Sequence, residues 1–281
     1  MFNKLSEFFL FSSIFIASCA VSFCMETNIL LGLPLNTVSF YYFVFGATLV
    51  QYNLHYLVKT IAVKDSLRLA WSKRNRLLHF ILLGIGILLI IISLFSFHFQ
   101  HFMVLLCLAG IAFIYSFPVI PFGNKRRIKE YGLLKIITLS FLWTLVTVWF
   151  PVNNMLYDSA LFLFVFVKRF VFMFVLCLLF DVRDIEIDRK NRINTFPVIY
   201  GRKKSYLLSY LLLLLFIILS VFQYFYLPQT GFLTAMVLSA AATFFIIEAT
   251  KKTNSDFIYL AGIDGMMLLQ ALLIYLFSLN L

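Results

Sequence analysis

The chain has 281 residues, of which 63% are hydrophobic, 12% charged and 35 are phenylalanine. A mean hydropathy of +0.98 excludes a soluble globular domain of this size and points to an all-α integral membrane protein. The net charge of +11 does not make it a nucleic-acid binder, because the bases lie in short segments between apolar runs rather than on a soluble basic domain.

Nine apolar stretches are long enough to cross a bilayer, about 20 residues each. They lie near 8–25, 38–58, 77–97, 102–121, 133–151, 159–180, 205–227, 231–248 and 257–280. Period-2 alternation is absent, so a nine-transmembrane-helix bundle is expected rather than a barrel. All 281 residues are expected to form one domain. Of the 23 Lys and Arg, all but Lys168 and Arg169 fall at the N-terminus or in alternate loops. The opposite loops, 26–37, 98–101, 151–158 and 227–231, carry none. This asymmetry predicts a cytoplasmic N-terminus and an external C-terminus. The cationic face would attract anionic headgroups or a diphosphate. Cys19, Cys24, Cys107 and Cys177 all lie in apolar runs, and neither a disulfide nor a cysteine metal site is expected.

In chain order, the second stretch ends in Asn53, His55 and Leu57. His55 is a candidate ligand, although a lining or hydrogen-bonded histidine is the simpler reading. The fourth stretch ends at Pro118 and Pro121, and Lys125, Arg126, Tyr131 and Lys135 follow. Positive-inside anchoring accounts for that cluster as well as substrate binding does. Lys168 and Arg169 interrupt the sixth stretch, 13 and 12 residues before Asp181. That places them roughly 18–20 Å from the cytoplasmic boundary, so they must pair, face the interior or snorkel. Asp264, Asp158 or a polar substrate head are the candidate partners. His98 and His101 read as interfacial anchors.

The densest acidic segment is Phe180 to Gly201, with Asp181, Asp184, Glu186 and Asp188 within eight residues. On one helix, Asp181, Asp184 and Asp188 are spaced i, i+3, i+7 and share a face. Three carboxylates on one stripe repel, and oxygen-only ligands at a membrane boundary suit Mg2+. The plainer reading is a solvated helix end neutralised by Arg183, Arg189 and Lys190.

Asp181, Asp184, Asp188, Thr195, Pro197 and Gly201 resemble the second aspartate-rich motif of the UbiA superfamily of intramembrane prenyltransferases. The resemblance implies a nine-helix fold whose site opens to the cytoplasm, in the inner membrane of a bacterium. Asp181, Asp184 and Asp188 would hold Mg2+ against an isoprenyl diphosphate. Lys125, Arg126, Tyr131, Lys135, Lys190 and Arg192 would bind the diphosphate, and a membrane-soluble acceptor would take the isoprenyl group. The first motif of that family, N-x-x-x-D-x-x-x-D, keeps only Asn53 here, which the resemblance makes a catalytic residue facing the substrate beside the three aspartates. Its acidic positions are Leu57 and Ile61, with Asp65 one turn further on. One metal is therefore expected, with Lys59 or Lys64 in place of the second. A degenerate member that binds a lipid diphosphate without turnover or acts as a membrane partner protein, a terpene cyclase and an ion-coupled transporter are the alternatives. The last lacks the broken-helix signal of transporters.

Overall fold

The computed structural model describes residues 4–58, 67–116, 132–153, 155–253 and 255–279. Among them there is no strand. Helix α1 (Lys4–Phe11) meets α2 (Ile14–Leu30) at Ser13, whose φ of 71° bends the pair by 58°. There follow α3 (Val38–Val58), α4 (Leu67–Arg74), α5 (Arg76–Leu94) and α6 (Phe99–Ser116). Helix α7 (Gly132–Thr144) passes through a π-helical turn into the short α8 (Phe150–Val152). The central helix, α9 (Ser159–Arg183), leads into α10 (Ile185–Lys190), α11 (Phe196–Tyr226) and α12 (Thr230–Lys252). A π-helical turn, Ile258–Ile263, opens the last span and continues as α13 (Gly265–Ser278).

Every expected apolar stretch contains a helix among the described residues. Among the described residues six helices are long and apolar enough to cross a membrane, or seven if the bent α1–α2 pair counts as one. Helix α3 falls outside that set because its second half carries Gln51, Tyr52, Asn53, His55 and Tyr56. The described apolar part of α6, Phe99–Ala112, is short.

Helix α9 is the most enclosed span, and α7 and α11 pack along it. Its Asp158 cap accepts from the amides of Ala160 and Leu161, both at 2.8 Å, which fixes where the helix starts. The core runs through Phe23 on α2, Phe172 on α9 and Phe216 on α11, with ring centroids 6.2 and 5.3 Å apart in turn. Bilayer interiors give no hydrophobic drive between helices, so this contact and buried polar links hold the bundle.

Those links correct the expected partners of Lys168 and Arg169. Neither Asp264 nor Asp158 pairs with them. Arg169 Nη2 lies 3.1 Å from Glu26 Oε1, and its guanidinium sits 3.5 Å over the Phe23 ring. Gln270 Nε2 donates to the same Glu26 oxygen at 2.9 Å, and Ser239 Oγ donates to Gln270 Oε1 at 3.2 Å. Helices α2, α9 and α13 thus meet at one carboxylate, and α12 joins them through Gln270. Glu26 is not in a loop, because α2 runs on to Leu30.

Candidate metal and diphosphate site

The three aspartates do not lie along one uninterrupted helix. At Asp184 the chain takes φ −87° and ψ 9°, which separates α9 from α10. Backbone bonding persists across the bend, since the Asp188 amide donates to the Asp184 carbonyl at 2.9 Å. The bend divides the carboxylates into two sets. Asp181 and Asp188, 4% and 5% exposed, converge on one cation. Lys135 Nζ lies 2.8 Å from Asp181 Oδ1 and 3.3 Å from Asp188 Oδ2. Asp184 turns instead to Arg183, with Nε 2.8 Å from its Oδ1. The stripe expected to lack counter-charge is therefore compensated, and no three such side chains are grouped for a metal among the described residues.

Two features position Lys135. Helix α7 begins at Gly132, and a Cβ there would lie 1.5 Å from the Asn194 carbonyl oxygen. Only glycine lets the segment after α10 press against the start of α7. That segment is shaped by Arg192 at φ 56° and by the Ile193 amide, which donates to the Asp188 carbonyl at 2.9 Å. Thr195 then caps α11, with Pro197 in its first turn. Gly201, at φ 82°, breaks α11 one turn later in a conformation that favours glycine. The Thr195, Pro197 and Gly201 pattern thus folds the chain back over the acidic turn.

The electrostatics suit a cation. Burial pushes the Asp188 carboxyl above the usual carboxylate range, opposed by the Lys135 ammonium and the Thr195 hydroxyl. Asp181 Oδ2 is buried without a hydrogen-bond partner. That orphaned oxygen, in an all-oxygen donor set with a cation already between two carboxylates, fits a hard divalent ion. Arg183 also lies 5.0 Å over Phe180 and 5.2 Å over Tyr259, so its guanidinium is held against rings at the same helix end.

Other expected site residues are placed differently. Lys190 and Arg192 are exposed beyond the acidic turn, and neither pairs with its aspartates among the described residues. Asn53, expected to face the substrate, is committed inside the bundle. Its Nδ2 donates to Leu49 O at 2.8 Å and Ser12 O at 3.3 Å, and its Oδ1 meets His79 Nδ1 at 2.5 Å. His55 is exposed. The first-motif calls on Lys59, Ile61, Lys64 and Asp65, and the basic-loop calls on Lys125, Arg126 and Tyr131, lie outside the described residues. Arg68, not singled out from sequence, is 7% exposed. Its guanidinium lies 4.2 Å over Tyr56 and donates to Ser13 Oγ at 3.0 Å.

A model of the UbiA prenyltransferase family matches residues 66–260. No curated protein matches the chain. Several solved structures share its fold. A UbiA homologue from Archaeoglobus fulgidus bound to GPP and Mg2+ is 13% identical, with a TM-score of 0.64 and 96% of each chain covered. A structure of a UbiA homologue from Archaeoglobus fulgidus with no ligand named gives a TM-score of 0.63 at 14% identity, over 98% of this chain and 99% of that one. A structure described for digeranylgeranylglyceryl phosphate synthase in membranes covers 100% of both chains at 14% identity and a TM-score of 0.59.

Proposed function

Because this chain belongs to the UbiA prenyltransferase family and is a multi-pass membrane protein, we propose that it transfers an isoprenyl group from an isoprenyl diphosphate to a lipophilic acceptor. The observation that carries this reading is the Asp181–Lys135–Asp188 cluster at the end of α9. Asp181 and Asp188 would hold Mg2+, joined by Asp184 once Arg183 releases it, and the ion would supply Lewis-acid neutralisation of the leaving diphosphate. The A. fulgidus homologue bound to GPP and Mg2+ supports that ligand pair.

The chain's own residues then have defined tasks. Lys135 and Arg183 neutralise the carboxylates in the free protein and turn to the diphosphate oxygens when it enters. Arg and Lys clamps of this kind stabilise charge on departing phosphates. The allylic C–O bond breaks, its electron pair leaves with the diphosphate, and the acceptor forms the new bond to carbon while losing a proton. Phe180 and Tyr259, which hold the Arg183 guanidinium between them, exclude water from this helix end. The site belongs on the cytoplasmic face, where the basic loops lie. With Leu57 in place of an acid and Asn53 tied to His79, the opposite wall offers no carboxylate of the first motif among its described residues. Binding of a lipid diphosphate without turnover is the second reading, and that wall favours it.

Equilibrium binding of geranyl diphosphate to the detergent-solubilised protein tests the site. Binding is expected to need Mg2+ and to weaken at least tenfold in Asp181→Asn. Equal affinity in that variant, with or without Mg2+, contradicts the proposal.

A further inference from the structure

Of the two adjacent cations in α9, Arg169 is paired within the bundle and Lys168 is not its companion there. Lys168 lines a cavity at the end of the molecule away from the aspartates. Helical side chains lean toward the helix N-terminus, which for α9 is Ser159, nine residues earlier. The flexible stem of Lys168 therefore carries its ammonium toward the membrane face opposite Asp181. There the last turn of α11, with Gln223 and Tyr224, and the first turns of α12, with Gln229 and Phe232, close around it.

The cavity is lined by buried polar side chains. Lys168 is 3% exposed and Gln223 6%. The side-chain oxygens of both Gln223 and Gln229 are buried with no hydrogen-bond partner. No carboxylate lines the cavity, and the acids at this end or depth are already engaged. Glu26 serves Arg169, while Asp158 caps α9 and accepts from the Tyr226 hydroxyl at 2.7 Å. The space, about 10 Å³, admits one oxygen-sized group. An amide can present its NH2 in place of its oxygen without changing shape. Lys168, Gln223 and Gln229 can thus all donate to a single incoming oxygen, beside the apolar rim of Leu227 and Phe232.

We propose that this cavity is a second ligand site, independent of the diphosphate site, which takes one oxygen of a phosphate group with Lys168 as its counter-ion. A lipid headgroup and free phosphate share that chemistry. An apolar rim next to a buried lysine suits the lipid, and the experiment separates the two sources.

Delipidated protein in an uncharged detergent is titrated with dioleoyl phosphatidylglycerol, with an uncharged diglucosyl diacylglycerol, and with inorganic phosphate. Retained lipid is counted by native mass spectrometry and the unfolding midpoint is recorded. Phosphatidylglycerol is expected to raise the midpoint of the native protein, with the glycolipid inert. Its apparent affinity should fall about tenfold in Lys168→Met and several-fold in Gln223→Leu, with one lipid fewer retained. Lys168→Arg should keep most of the affinity. A Lys168-dependent shift with inorganic phosphate alone assigns the site to a free anion. Should Lys168→Met fail to fold, Gln223→Leu and Lys168→Arg decide. Equal affinities for both phosphate probes in the native protein and these variants would overturn the proposal and leave the cavity to water.

Discussion

Arg169 and Glu26, 143 positions apart in the sequence, meet at 3.1 Å with side-chain exposures of 1% and 0%. The pair joins α9 to α2, and through Gln270 and Ser239 to α13 and α12. Breaking it leaves a buried, uncompensated charge. Glu26→Ala is therefore expected to cost about 3–5 kcal/mol, whereas replacing both residues by Leu should recover most of that loss. Denaturant unfolding in mixed micelles measures both. A single variant as stable as the native protein would mean that Arg169 finds another partner.

Gly132 is the packing point between α7 and the segment following α10. With the Asn194 carbonyl 1.5 Å from where a Cβ would stand, Gly132→Ala must displace one of the two. The expected cost is about 1–3 kcal/mol or more, and it should come with weakened geranyl diphosphate binding as Lys135 moves. Gly84→Ala, where nothing lies within 4 Å, should leave both stability and binding intact. Equal behaviour of the two variants would remove Gly132 from the account.

Lys135 acts as a resident cation between Asp181 and Asp188. Lys135→Met should make the protein less stable without divalent ions, because two buried carboxylates then face each other unshielded. Added Mg2+ should stabilise this variant more than it stabilises the native chain, while diphosphate affinity falls. Unfolding midpoints with and without Mg2+ give the comparison. No difference in the Mg2+ response between the two proteins would argue against an ion at these carboxylates.

The Asp158 carboxyl is held below the usual carboxylate range by the Leu161 amide, with help from the Tyr226 hydroxyl and the Ala160 amide. A depressed folded-state value means that its stabilisation is present above the unfolded value, roughly 3.9, and is lost as pH falls through the lower folded one. Asp158→Asn should therefore flatten the acid limb of the stability profile. An unchanged profile would show that the cap contributes nothing to it.

The helices were legible in the sequence because apolar runs of spanning length leave little choice, but the expected start at 205 missed that Thr195 caps α11 and that the helix already begins at Phe196, ahead of its break at Gly201. The bend at Asp184 was not legible. Periodicity put three carboxylates on one face, but one bridge-region residue sent Asp184 to Arg183. Glu26 was hidden for a different reason. It sits four residues from the end of α2, where a lone acid after an apolar run reads as the start of a loop. His79 and Arg68 carried no local pattern at all, since their partners, Asn53 and Ser13, come from helices distant in sequence. Lys135 was singled out as a phosphate ligand, but nothing in its spacing revealed that it would lie between two aspartates.

The most direct measurement is the number of Mn2+ ions bound per chain, by electron paramagnetic resonance titration in the presence of geranyl diphosphate. The account predicts one ion, dependent on the diphosphate and lost in Asp181→Asn, because Asp181 and Asp188 converge on a single cation, Lys135. Two bound ions, or one that survives in Asp181→Asn, would contradict it.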